Sequence, residues 1–215
     1  MIKMSRPLDI GINQIKSLLV KMGQLSKQAL EVAIDGFIKE EDVYVQLKAW
    51  SNTIIMLSEE VEDRAVELMA LHQPMATDLR TLKAYIKIAY DIERYGRYAM
   101  DIGDIKNRLG SWEQIPENGF RFQEMAEVVM KCVTMSIEFI REMDQNGIWE
   151  QAKTESLSDD LYLKNMKMLW ESDASPKTII AYSLTIRYLE RIADHSTYIS
   201  ESISYAVSGK RVSLR

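Results

Sequence analysis

Two carboxylates stand four residues apart near the end of the chain, at Glu190 and Asp194. Residues four apart share one face of a helix, so the two side chains lie next to each other and repel unless a cation lies between them. The apolar stripe of the same stretch includes Leu189, Ile192 and Ile199. The acidic pair therefore borders the buried face of its helix, where it could form a metal site or an ordinary salt bridge.

The spacing alone does not distinguish these two interpretations. The chain contains 32 acidic residues among 215. Random placement of that many acids gives roughly five pairs at the same spacing. The choice therefore depends on which other side chains the fold brings close to the pair.

The composition predicts an all-α protein. Only 9 Gly and 4 Pro occur in a chain that is 47% hydrophobic, and long stretches contain neither breaker. No apolar run approaches the length of a membrane span, and residues 1–9 do not have the pattern of a signal peptide. The single cysteine, Cys132, fits a reducing cytoplasm, and the net charge of −5 disfavours nucleic acid as a partner.

Breakers and acidic turns divide the sequence into six predicted helices. Gly147 is predicted to stop the fourth helix, and Pro74 to separate the second from the third. The predicted helices run from about Leu8 to Ile38, from the turn 40–42 to about Leu71, from an N-cap at Thr77 or Asp78 to about Arg108, from about Asn118 to Asn146, from about Ile148 to Glu171, and from the turn 172–176 to about Ser208.

The two halves of the chain repeat each other. A shift of 97 residues lays the third predicted helix on the sixth, with Tyr85 on Tyr182 and Glu93 on Glu190. The apolar seams of the two helices coincide at the same shift. We therefore expect two tandem three-helix bundles, residues 1–110 and 117–215.

A second acidic pair, Glu155 and Asp159, lies on one of two apolar stripes of the fifth predicted helix, the other being Leu157, Leu161 and Met168. These residues come 19 and 15 positions before Ala174 in the short turn, while Glu190 and Asp194 come 16 and 20 positions after it. Helices joined by a short turn pack antiparallel, so equal distances from the turn place residues at equal heights. Four carboxylates are therefore predicted to converge.

Converging carboxylates need a source of positive charge. No Cys and no suitably spaced His lies in the patch, so an oxygen-only site for iron, manganese, magnesium or calcium is one solution. The other solution is a set of salt bridges to Arg187, Arg191 and Lys153. Both interpretations stay open at this point.

The equivalent place in the first half has lost one acid. Glu93 stands where the second half has Glu190, but Arg97 replaces Asp194, and an Arg four residues after a Glu forms an internal ion pair. The second helix offers only Ile55 and Ser51 at the matching height. The first site, with Glu93, Arg97 and nearby Asp91, is therefore predicted to be degenerate and without metal.

Three segments of the sequence match the motifs of one protein family. The runs ERIADH at residues 190–195 and QPMATDLR at residues 73–80 resemble the signature ERIGDHA and the segment QPxAxDLR of the PhoU family of phosphate-uptake regulators. The run DIERYGR at residues 91–97 resembles the first copy of the signature, DLERIGD, with Arg97 in place of the final Asp. The resemblance covers nearly the whole chain.

The resemblance implies a regulator that carries metal clusters, with iron as the first choice, and that is not an enzyme. Glu190 and Asp194 match the second motif fully, whereas Glu155 and Asp159 resemble the acidic pair of the fifth helix less closely. Members of the family are cytoplasmic and associate with the inner face of the membrane through their partners. The implied partners are the ATPase subunit (PstB-like) of the phosphate ABC transporter, whose uptake is damped, and a sensor kinase.

Two other functions compete with this one. The first is a metal-free helical adaptor of the same fold with another partner. The second is a carboxylate-bridged iron oxidase, which would need Glu-x-x-His motifs on bundle helices. The residues three before His72 and His195 are Met69 and Ile192, so that motif is absent. Homodimerisation through the long helix faces stays open.

Overall fold

The computed structural model describes residues 6–116 and 119–214. Every regular element in these ranges is a helix, which confirms the prediction of an all-α protein. Among these residues no helix is both long enough and apolar enough to cross a membrane. The described residues form six helices, α1 (Pro7–Lys39), α2 (Tyr44–His72), α3 (Thr77–Leu109), α4 (Phe122–Glu142), α5 (Ile148–Trp170) and α6 (Pro176–Ser208).

Each set of three consecutive helices packs into its own bundle, which confirms the predicted tandem architecture. In α1 the inward positions recur every three or four residues, as in Ile15, Leu19 and Met22, and these side chains are fully buried. Burial of each such side chain contributes about 1.5–3 kcal/mol. The two bundles meet along α3 and α6 and along α1 and α4. Their predicted limits, residues 1–110 and 117–215, stay a prediction.

Helices α3 and α6 cross antiparallel at the centre of the molecule. The Asp91 carboxylate lies 2.8 Å from Nδ1 of His195, and the ring centroids of Tyr98 and Tyr188 are 5.8 Å apart. The shift of 97 residues maps Asp91 onto Tyr188 and Tyr98 onto His195. The two contacts therefore lie at equivalent positions of the internal repeat, because exchanging the two halves of the chain maps one residue pair onto the other.

A buried hydroxyl network lies beside these contacts. The hydroxyl of Tyr95, on α3, is 2.7 Å from Oγ of Ser196 on α6 and 3.1 Å from Oγ of Ser136 on α4. All three side chains are buried, so each hydroxyl needs a protein partner to offset its desolvation. The network ties the first bundle to two helices of the second.

The boundaries of α4 differ from the prediction. The helix ends at Glu142 because Met143 adopts a left-handed conformation, with φ of 50°. Gly147 instead stands at the N-cap of α5. At the other end, the backbone N–H of Arg121 donates to the Asn165 side chain at 2.7 Å, and the helix begins only at Phe122. The predicted start at Asn118 lies outside the described residues.

The start of α3 also differs in detail. Neither Thr77 nor Asp78 is the N-cap, because Ala76 occupies that position with φ of 49° and Thr77 is the first helical residue. The Thr77 hydroxyl accepts a hydrogen bond from the Arg80 guanidinium at 3.0 Å instead. The QPMATDLR segment thus forms the turn between α2 and α3 and the first turn of α3.

Candidate metal centre

Helices α5 and α6 form an antiparallel pair joined by the short turn 171–175. The Ser175 hydroxyl caps α6 by accepting from the backbone N–H of Thr178 at 3.3 Å, and Pro176 occupies the first turn. The pairing brings Glu155, Asp159 and Asp194 together, and each offers one carboxylate oxygen within 4.8 Å of the others. Three of the four predicted ligands therefore converge.

Two of these three carboxylates are deeply buried. Glu155 is 2% exposed and Asp194 is 3% exposed, while Asp159 is the most exposed of the three. Burial, with a smaller contribution from the nearby charge of Glu155, raises the pKa of the Cys132 thiol, on α4, to about 12. Glu155 therefore faces the interior of the second bundle, where a carboxylate is costly unless positive charge or hydrogen bonds offset its desolvation.

The fourth predicted ligand, Glu190, lies outside this group of three. Nη1 of Arg187 is 2.8 Å from its carboxylate, and Nε of Arg191 is 3.8 Å from it. Nη1 of Arg191 also lies 3.2 Å from Oδ2 of Asp194. The salt bridges predicted as the alternative to a metal site therefore form at Glu190 and at one oxygen of Asp194. Lys153, the third cation of the predicted salt bridges, is exposed and forms no ion pair within 4.0 Å in the described parts of the chain.

Further polar groups surround the buried carboxylates. Gln151 and Ser158 lie one helical turn before and after Glu155, and Thr197 lies one turn after Asp194, so they share the faces of these acids. All three are fully buried, and the Gln151 amide atoms and both hydroxyls have no hydrogen-bond partner among the described residues. Buried polar atoms of this kind are normally satisfied by water or by a bound group.

This donor set fits an oxygen-coordinated cation. Carboxylate, amide and hydroxyl oxygens are ligands for hard and borderline cations, and the carboxylate oxygens already lie within one coordination sphere of each other. A cation bound there would also offset the cost of burying Glu155 and Asp194. Iron, manganese, magnesium and calcium all remain compatible with these ligands.

The corresponding place in the first bundle is different. Nε of Arg97 lies 2.8 Å from the carboxylate of Glu93, so this acid already has an internal cation. Ser51, at the matching height on α2, is buried and offers no charge. Within residues 6–116 no group of three acidic, His or Cys side chains converges as in the second bundle. These residues do not fit a metal.

Asp91 does not belong with the first site. It is buried on the face of α3 that packs against α6, where it accepts from His195. Burial raises the pKa of Asp91, while the hydrogen bond from His195 acts in the opposite direction. His195 therefore links the two bundles.

Sequence reasoning missed the buried polar groups next to the acids. Gln151, Ser158 and Thr197 stand at spacings of three or four from Glu155 and Asp194, and this periodicity was a usable signal. The link between Asp91 and His195 had no such signal, because it depends on the packing of α3 against α6.

Comparison with known proteins supports the same architecture. The PhoU domain family model matches residues 19–105 and 122–203, one match in each bundle. A protein of Synechocystis sp. named phosphate-specific transport system accessory protein PhoU homolog is 27% identical over 94% of this chain and 91% of its own length. A homolog of the same name from Clostridium acetobutylicum is 25% identical over 96% of both chains.

Solved structures agree with the fold. PhoU from Streptococcus pneumoniae, described as a phosphate transport system regulatory protein, superposes with a TM-score of 0.86 at 19% identity over 96% of this chain and 99% of that one. PhoU from Pseudomonas aeruginosa gives a TM-score of 0.83 at 23% identity over 94% and 99% of the two chains. Since the family model covers most of both halves, the chain belongs to the PhoU family.

Proposed function

We propose that this protein is a regulatory accessory protein of a phosphate-specific transport system. The observation that carries the proposal is the family match in both bundles, together with relatives that bear that name and align over more than 90% of each chain. The proposed action is to damp phosphate uptake by contact with the ATPase subunit of the transporter. A sensor kinase is the proposed second partner.

In this proposal the protein acts by contact and not by catalysis. The Glu-x-x-His motif of carboxylate-bridged iron oxidases does not occur at either histidine. The proposed location is the cytoplasm, with attachment to the membrane through the transporter.

The proposed cofactor is a cation held by Glu155, Asp159 and Asp194, with iron as the first choice and manganese, magnesium or calcium as alternatives. When bound, it would supply the positive charge that lets the three carboxylates coexist. Glu155 and Asp159 belong to α5 and Asp194 belongs to α6, so these side chains would fix the two helices relative to each other.

Residues of α6 connect the carboxylate cluster, formed by Glu155, Asp159 and Asp194, with the first bundle. Arg191 forms an ion pair with Asp194. His195, which follows Asp194 in the sequence, contacts Asp91 on α3. Metal-binding residues and the contact between bundles are therefore adjacent on one helix. This adjacency supports a role for the cluster in setting how the two bundles present their surfaces to a partner.

A metal-free adaptor is the second candidate. The observation in its favour is that Arg187 and Arg191 already provide positive charge to Glu190 and to one oxygen of Asp194. In that case the neutralised acids would be structural, and partner binding would not depend on metal.

Metal analysis separates the two candidates. We expect the purified wild type to retain metal, and a Glu155→Gln, Asp194→Asn double variant to lose it. Glu59 and Asp63 provide the control, because replacing them removes the same two charges from exposed positions on α2. Retention of metal by the Glu59→Gln, Asp63→Asn variant is expected. Equally low metal in all three proteins would favour the adaptor.

Co-purification with the organism's own phosphate-transporter ATPase tests the partner. The same three proteins are used as bait after growth with high and with low phosphate. Capture by wild type and control supports the proposed function, and its loss in the double variant would make the contact metal-dependent. Absence of capture by wild type under both conditions would refute the proposed partner.

A further inference from the structure

A cavity of about 330 Å³ lies between the first half of α3 and the end of α6, away from the carboxylate cluster. Lys83 and Lys87 line it from α3, Glu201 and Tyr205 line it from α6, and Arg211 lines it from the C-terminal segment, residues 209–214. Its volume is within the range of sites that bind small molecules. Three of these five side chains are cationic.

The C-terminal segment is fixed over this cavity by specific contacts. Gly209 ends α6 with φ of 73°, a left-handed conformation in which a side chain would be strained. The Glu201 carboxylate then accepts a hydrogen bond from the backbone N–H of Leu214 at 3.0 Å, and the Leu214 side chain is buried. Arg211 is thereby carried to the edge of the cavity.

The cations of the cavity gather around aromatic rings. Nζ of Lys83 lies 5.8 Å from the ring centroid of Tyr205, and the Arg211 guanidinium carbon lies 5.7 Å from the same centroid. Nζ of Lys87 lies 5.6 Å from the ring centroid of Tyr198. The negative faces of the rings reduce the repulsion among these cations but do not neutralise them.

Negative charge near these cations is scarce. In the described parts of the chain, Lys83, Lys87 and Arg211 form no ion pair within 4.0 Å. Glu201 is the one acid among the lining residues that the structure describes, and its carboxylate holds the C-terminal segment. Lys87 also interacts with the buried Asp91, one turn along α3. Three cations with so little compensation favour a bound anion.

We propose that this cavity binds a small phosphorylated anion, of the class of pyrophosphate or a nucleoside polyphosphate. Lysine and arginine supply the charged donors that phosphoryl oxygens accept, and the Tyr205 ring offers an apolar surface to the rest of the ligand. None of the large exposed apolar side chains lines the cavity, which favours a soluble anion over a lipid headgroup. This site is separate from the carboxylate cluster and does not depend on the proposed function.

Calorimetric titration with pyrophosphate, inorganic phosphate and ATP, each at low and high salt, tests the proposal. A parallel titration with phosphatidylglycerol vesicles tests a lipid headgroup as the ligand. We expect saturable binding of at least one of the three soluble anions to wild type, weakened by salt because the contacts are ionic. A Lys83→Met, Lys87→Met double variant should bind at least tenfold more weakly. Both lysines are exposed, so the variant should fold, and Arg211→Met probes the same cavity from the C-terminal segment.

The matched control is Lys164→Met, Lys177→Met. It removes the same charge from exposed positions on α5 and α6 outside the cavity. Binding within twofold of wild type is expected for this control. The proposal would be overturned by the absence of saturable binding to wild type, by equal weakening in both double variants, or by binding only to phosphatidylglycerol vesicles.

Discussion

Replacing His195 with Phe should destabilise the protein by about 3 kcal/mol at pH 8, and by less at pH 5. The substitution removes the donor that lies 2.8 Å from the carboxylate of Asp91, which is 2% exposed. Removal of the donor leaves a buried hydrogen-bonding group unsatisfied, which costs about 1–3 kcal/mol and more when the group is charged. We expect about 3 kcal/mol because the Asp91 carboxylate is buried, and no more than that because the His195 side chain is 12% exposed and Lys87 still interacts with Asp91.

The dependence on pH follows from the pKa of Asp91. Burial raises this pKa above the value in the unfolded chain, while the hydrogen bond from His195 lowers it. The folded protein therefore binds the proton more tightly than the unfolded chain, and the Asp91 contribution favours folding at low pH and declines as the pH rises through the folded pKa. Without His195 the pKa of Asp91 rises further. The loss of folding stability caused by the His195→Phe substitution is therefore largest at a pH where Asp91 must ionise.

Urea denaturation followed by far-UV circular dichroism measures this loss at both pH values. The Asp91→Asn, His195→Phe double variant carries no buried charge at this position and should recover at least half of the stability lost at pH 8. His72→Phe is the control, because His72 is exposed and its replacement should change stability by less than about 0.5 kcal/mol. An equal loss at both pH values, or no recovery in the double variant, would refute the reasoning.

Three further predictions concern the first bundle and the buried thiol. Arg97→Ala should cost less than about 1 kcal/mol, because Arg97 is 41% exposed in its pair with Glu93; a loss above about 2 kcal/mol in the same denaturation assay would contradict this. Gly96→Ala places a Cβ 2.7 Å from Cδ1 of the buried Ile54 on α2, and the overpacking cost of about 1–3 kcal/mol is reduced by about 1 kcal/mol of helix propensity, so a small net loss of stability is expected; a rise in Tm would be inconsistent with that close packing. Cys132, with a pKa raised by burial to about 12, should react with thiol reagents at pH 8 only after unfolding, and rapid labelling of the native protein would exclude the buried position.

The helices were predictable because breakers are rare and the apolar periodicity is strong. The end of α4 was not, because Met143 adopts a left-handed conformation that ordinary non-glycine residues seldom take. Its start was not predictable either, since the side chain of Asn165 on α5 bonds the backbone of Arg121. Both errors arise where tertiary contacts or local strain override helix propensity.

The carboxylate cluster was predictable in part. Counting from the turn placed the acids of α5 and α6 at one height, and Glu155, Asp159 and Asp194 do lie together. Counting does not determine side-chain rotamers, so it did not show that Glu190 turns to Arg187. The spacing of residues within one helix is readable from sequence, but competition among neighbouring partners is not.

Anomalous diffraction from crystals of the purified protein tests the central claim most directly. Data collected on either side of the iron absorption edge, and of the manganese edge, locate a bound metal without assumptions about the ligands. We predict an anomalous peak between the carboxylates of Glu155, Asp159 and Asp194, and none beside Glu93 and Arg97. Metal-supplemented crystals without a peak at the three carboxylates would contradict it.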